Sequence, residues 1–185
     1  NGFDSKKELN AFRFMDFAIG EFFRLAKEET YFDNTIFVLL GDHGGGHESQ
    51  KNNFGALSLH NYHVPLAIYS PGLKINHQEI DIVASSIDVM PTIMGLLSMP
   101  YINTTLGIDL LNNNNKIRYS FIFTATNLTY GLISNDYFVM KNVAGKNLVY
   151  NMYNNETINI MNPEINNMIE LNNGYYHISR YLRYH

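Results

Sequence analysis

The chain of 185 residues is 45% hydrophobic and 16% charged, with a net charge of −4, the composition of a globular protein that can bury about two-thirds of its unfolded surface. No run of Lys or Arg exceeds two residues, which argues against a nucleic-acid partner. The absence of cysteine excludes disulfides and thiolate metal sites, and no apolar run approaches the roughly 20 residues that span a bilayer.

From Leu9 to Glu28, apolar residues recur at helical spacing (Phe12, Met15, Ile19, Phe22, Phe23), with Arg13, Asp16, Glu21, Arg24 and Lys27 on the other side. This pattern predicts an amphipathic helix covering a sheet face. Phe32-Asp33-Asn34 turns the chain into Thr35-Ile-Phe-Val-Leu-Leu-Gly41. That run is β-branched, aromatic and continuously apolar, as a strand buried on both faces of a parallel sheet would be. A helix followed by such a strand is one αβ unit. The chain opens without Met and almost directly in this helix, as a piece cut from a longer protein would, and no signal peptide is visible.

At the end of the strand come Asp42 and His43, followed by glycines. In open α/β sheets the carboxyl edge is where ligands bind, and an adjacent carboxylate and imidazole supply one oxygen and one nitrogen to a divalent metal. The competing reading is an aspartate capping a turn beside a surface histidine. Residues 44–62 form a long polar loop holding His47, Glu48, Lys51 and His60, and loops of this length are more often functional than decorative. His63 opens a second apolar run, Val64 to Tyr69, closed by Ser70-Pro71-Gly72. If that strand runs antiparallel to the first, His63 falls near the Asp-His end. For His47, Glu48 and His60 a solvated-loop role is favoured, and His77, His177 and His185 have no carboxylate company.

Further on, Asp88 is the expected N-cap of a short apolar helix with Pro91 in its first turn. After Asn112–Asn115, β-prone runs at 119–126, 130–134, 137–142 and 147–151 suggest a small antiparallel meander. Pro163 to His185 has amphipathic helical character through Ile165, Met168, Ile169, Leu171, Ile178, Tyr181 and Leu182. The Asn-x-Ser/Thr triplets at Asn103, Asn127 and Asn155 are attributed to chance in so Asn-rich a chain. The expected class is α/β: part of a mostly parallel sheet with flanking helices over 1–111, then a β-rich subdomain with a closing helix over 112–185. No nucleophile motif accompanies the Asp-His pair, since Gly-x-Ser-x-Gly, a phosphate loop and Gly-x-Gly-x-x-Gly are all absent.

Four segments in order carry a resemblance. They are Phe22-Phe23-Arg24-Leu25-Ala26-Lys27 leading through Tyr31-Phe32-Asp33-Asn34-Thr35, then Gly41-Asp42-His43-Gly44, then Tyr62-His63-Val64-Pro65-Leu66-Ala67-Ile68-Tyr69-Ser70-Pro71-Gly72, and finally Ala84 to Ile93 with Leu106-Gly107-Ile108-Asp109-Leu110-Leu111. Together they resemble the carboxyl-terminal half of the sulfatase-like branch of the alkaline phosphatase superfamily, closest to lipoteichoic acid synthase or phosphoglycerol transferase-like proteins. The resemblance implies metal-dependent transfer or hydrolysis of phosphate or sulfate esters, including lipid headgroups, at the extracytoplasmic face of a bacterial membrane. Asp42 and His43 would hold Mn²⁺, Zn²⁺ or Ca²⁺, and His63 would bind substrate or a second metal. The nucleophile and the membrane anchor would belong to an upstream half of the same protein, so this piece alone is expected to be inactive. Two alternatives stay open: a non-catalytic, regulatory relative binding a lipid or protein, and a phosphoglycerate mutase-like or nucleotide pyrophosphatase-like enzyme.

Overall fold

The computed structural model describes residues 5–44, 53–54, 57–73, 76–112, 117–124, 128–159 and 162–184. Two compact units are present, Asn1–Leu40 with Leu66–Gln78, and Gly41–Pro65 with Glu79–His185.

In the first unit, helix α1 (Ser5–Ala26) precedes strand β1 (Phe37–Leu40), which pairs antiparallel with β4 (Leu66–Tyr69), Leu40 opposite Leu66. Every strand pairing among the described residues is antiparallel. The class is α/β as expected, and no parallel neighbour of β1 occurs among the described residues. The described residues of the connection between β1 and β4 hold short strands and a 3₁₀ turn, and no crossover helix of the kind a parallel pair requires occurs among them.

The core here is aromatic. Ala26, Phe32 and Phe37 are buried with Phe23 against them, and Phe23 meets the rings of Phe37 and Tyr69 edge-on at 5.1 and 5.6 Å. Coverage of a sheet by α1 holds only for its last turns, because Phe12, Phe14, Met15 and Phe17 are all more than half exposed. The reason is length: a helix of 22 residues extends about 33 Å, whereas strands of four residues span about 13 Å. Strand β1 is likewise not buried on both faces, since Leu40 is exposed.

In the second unit, β5 (Ser120–Thr124), β6 (Thr129–Ile133), β7 (Tyr137–Lys141) and β8 (Asn147–Asn151) form the antiparallel meander, close to the bounds the alternating pattern predicts. Period-two alternation sends Leu132, Val139 and Val149 to one face, where Ile165 and Met168 of α3 (Pro163–Tyr184) cover them. Ile122, Phe138 and Met140 go to the other face, where Leu59 and Tyr62 pack. Gly131 makes room for Phe138, whose ring lies where a Cβ would stand. Burial of each such aliphatic or aromatic side chain contributes about 1.5–3 kcal/mol, so the meander holds both α3 and the 59–62 turn. Between β1 and β4, β2 (Asn53–Phe54) and β3 (Leu57–Ser58) form a short hairpin.

Helix α2 (Val89–Leu96) has Asp88 at its N-cap position and Pro91 in its first turn, as expected, although the Asp88 side chain does not cap it. Ser85 is the N-cap of the preceding 3₁₀ turn over Ser86–Asp88, in which Asp88 closes a capping box. Asp88 is buried, and its carboxylate accepts the Ser85 and Ile108 N–H groups at 2.8 Å each. Buried Thr92 adds a second tie, donating to the Asp88 carbonyl at 2.7 Å and accepting the Leu110 N–H at 3.0 Å.

Candidate metal centre

Asp42, His43, His60 and His63 all lie in the second unit. Asp42 and His43 occupy the bend that follows β1, and their side chains are 90% and 76% exposed, open to a ligand. Each has one polar atom tied to the backbone. The His43 N–H donates to Asp42 Oδ1 at 2.9 Å, and His43 Nδ1 lies 2.8 Å from the Gly44 carbonyl. A carbonyl only accepts, so the proton of the neutral ring sits on Nδ1 and the Nε2 lone pair is left free. This is the backbone-carbonyl orientation common to metal-bound histidines.

The two untied atoms, Asp42 Oδ2 and His43 Nε2, are 3.9 Å apart. Donors on a tetrahedral ion at about 2.1 Å are separated by about 3.4 Å, so the pair is near the span that one ion requires. The donor set therefore fits half of a divalent-metal site.

What fixes the bend is Gly44. Its N–H donates to the Asn61 carbonyl at 3.0 Å, and a Cβ there would overlap the His60 carbonyl oxygen. The 3₁₀ turn Leu59–Asn61 is held in turn: Tyr62 and His63 N–H groups donate to the Leu59 carbonyl at 3.0 and 2.9 Å. Leu59 and Tyr62 pack on the meander, and the Tyr62 hydroxyl donates to the Phe123 carbonyl at 3.4 Å. Burial pushes the Tyr62 phenol above its ordinary value. Gly41 closes the base, its N–H donating to the Pro65 carbonyl at 3.1 Å.

The structure thus brings Asp42 and His43 together. His63 is exposed on the neighbouring segment, and His60 is half-buried in the 3₁₀ turn. Among the described residues no group of three or more His, Asp or Glu side chains is arranged to hold a metal, so His63 does not complete a three-ligand set with that pair. His47, Glu48, Lys51 and His185 lie outside the described residues. His77 and His177 are exposed. An open hollow of about 280 Å³ in the first unit is lined by Phe23, Lys27, Leu39 and Tyr69 and holds no acid or imidazole.

Sequence reasoning missed the parts played by Gly44 and by Asn61 and His60, which act through backbone atoms. It also missed the reach of Asp88 to Ile108, although Ser85-x-x-Asp88 carries the capping-box pattern.

Lipoteichoic acid synthase 1 of Bacillus subtilis is 32% identical over 123 residues, covering 59% of this chain and 18% of that protein. Arylsulfatase K of Canis lupus familiaris is 27% identical over 117 residues, covering 58% and 22%. The chain therefore spans about a fifth of the length of these relatives. A crystal structure of a protein in the alkaline phosphatase superfamily from Vibrio parahaemolyticus superposes with a TM-score of 0.71 at 22% identity, over 89% of this chain and 40% of that one; the likeness is one of fold. The sulfatase family profile matches residues 6–99, just over half of the chain and inclusive of Asp42, His43 and His63. The chain belongs to the sulfatase family.

Proposed function

We propose that this chain is the metal-binding part of an enzyme that transfers or hydrolyses phosphate or sulfate esters. In this reading Asp42 and His43 hold a divalent ion (Mn²⁺, Zn²⁺ or Ca²⁺), and His63 contacts substrate or a second metal. The single observation that carries it is the pair of untied donor atoms, Asp42 Oδ2 and His43 Nε2, 3.9 Å apart in the exposed bend after β1. Such an ion stabilises negative charge that develops on a phosphoryl or sulfuryl group. The chain's own residues orient the donors. Gly44 and Asp42 fix the imidazole tautomer and the bend, and the 59–62 turn braces Gly44 from the meander.

Residues 1–111 are read as the carboxyl-terminal part of the catalytic domain and 112–185 as a small β-rich subdomain with a closing helix. We place the nucleophile and the remaining ligands in residues beyond these 185, which the much greater length of the relatives accommodates. The similarity to lipoteichoic acid synthase 1 supports a lipid headgroup as substrate and the extracytoplasmic face of a bacterial membrane as location. No helix among the described residues is long and apolar enough to cross a membrane. Membrane anchoring, in this reading, belongs to the upstream half of the same protein.

The test is hydrolysis of 4-nitrophenyl phosphate and 4-nitrophenyl sulfate by the intact protein after chelation and re-addition of Mn²⁺. Metal-restored turnover that is lost in His43→Ala is expected. Turnover indifferent to chelator, or robust turnover by the 185-residue chain alone, contradicts the assignment.

A further inference from the structure

Helix α3 outruns the sheet that holds it. Ile165, Met168 and Asn172 are buried, Tyr175 packs on the same cluster, and Tyr176 stacks on Tyr130 with ring centroids 4.2 Å apart and planes 4° from parallel. From His177 through Tyr184 every residue is exposed, an overhang of about 12 Å. It carries Ile178, Tyr181, Leu182 and Tyr184 at 44%, 63%, 57% and 70% exposure. At 100° per residue, Ile178, Tyr181 and Leu182 fall within about 100° of arc, while Arg180 and Arg183 lie on the opposite side.

The charge of this overhang departs from the rest of the protein. The last acidic residue is Glu170, and everything after it carries only Arg180, Arg183 and histidines, in a chain whose net charge is −4. Neither guanidinium meets a carboxylate among the described residues. Arg180 rests over the Tyr176 ring at 5.7 Å and Arg183 over the Tyr184 ring at 6.0 Å. Ring faces leave the guanidinium N–H groups free to donate to phosphate oxygens.

An apolar stripe backed by arginines and edged by tyrosines has the composition of a helix end that lies in a membrane interface, where tyrosine settles at headgroup level. Charge decides among occupants. A second copy would present the same positive end, whereas an anionic bilayer complements it. We propose that residues 177–184 dock the protein on a membrane surface containing anionic phospholipid, independently of the ester chemistry assigned to Asp42 and His43.

Co-sedimentation of this 185-residue chain, to which no anchor outside it contributes, with phosphatidylglycerol–phosphatidylcholine vesicles, against phosphatidylcholine vesicles alone, tests this. Binding to the anionic vesicles is expected to weaken with salt and to fall about 30-fold in the Arg180→Gln/Arg183→Gln double variant, at about fivefold per surface charge. Both positions are exposed, so the far-UV circular dichroism of the variant should match wild type. The chain has no tryptophan. Tyr181→Trp is therefore a reporter placed in this chain at the docking face, and its emission should shift to shorter wavelength on anionic vesicles. Equal binding to both vesicle types, an undiminished double variant, an unshifted reporter, or self-association through this segment without vesicle binding would each overturn the proposal.

Discussion

Replacing Gly44 by alanine tests how the bend is built, because the space there is already occupied. A Cβ on residue 44 would overlap the His60 carbonyl oxygen, which is backbone and cannot swing aside as a side chain would. The φ of Gly44 lies outside the left-handed region, so the obstacle is steric and not conformational. Relief requires the 44 segment to move off the 59–61 turn, giving up the bond from Gly44 N–H to Asn61 and drawing the Gly44 carbonyl away from His43 Nδ1. Two hydrogen bonds at about 1 kcal/mol each, less the roughly 0.4–1 kcal/mol that alanine gains by restricting the unfolded chain, leave a loss of about 1–2 kcal/mol. For a chain of this size that lowers Tm by roughly 2–8 °C. Loss of the carbonyl that orients His43 should also weaken metal binding about 10–100-fold. Differential scanning calorimetry and metal titration of Gly44→Ala measure the two effects. Gly20→Ala is the control, since nothing lies within 4 Å of a Cβ there in α1, and it should stabilise by up to about 1 kcal/mol. An unchanged Tm for Gly44→Ala would refute the packing of the bend on the 59–61 turn. A lowered Tm with unchanged metal affinity would refute the role given to the carbonyl.

Asp88→Ala should destabilise the protein by about 3 kcal/mol, because the Ser85 and Ile108 N–H groups lose their acceptor at a buried site; a thermal-unfolding difference below about 1 kcal/mol contradicts that accounting. Alkaline titration should be staggered. Burial is the largest cause raising the Tyr62, Tyr119, Tyr150 and Tyr175 phenols above 10.0. The folded state therefore holds more protons than the unfolded state above the unfolded tyrosine value, and stability falls as pH rises through the folded values. Absorbance at 295 nm should show these four phenols ionising late in the titration. Ionisation of all 13 tyrosines in one step at the ordinary phenol value would contradict their burial.

Much of the fold is readable from local pattern. Alternation over 119–151 anticipates the four strands nearly residue by residue, because period two is set by the pleat and one face must meet α3. The Asp42–His43 pair is legible for a similar reason, as a buried-type run followed by Gly-Asp-His-Gly marks a strand end. Long-range partners are another matter. Nothing near Asp88 announces that its second oxygen belongs to Ile108, 20 residues on, and nothing near Gly44 announces the His60 carbonyl. The exposure of Phe12, Phe14 and Phe17 on α1 is equally hidden, because helical spacing shows a face and not what covers it.

Metal binding by the intact protein, followed by calorimetric titration with Mn²⁺ and Zn²⁺ for wild type, Asp42→Ala and His43→Ala, tests the central assignment most directly. Losing an atom that touches the ion should cost more than the 10–100-fold typical of losing a group behind it. The account predicts saturable binding by wild type and its loss in both variants. Equal affinity in all three proteins would remove Asp42 and His43 from the metal and end the assignment.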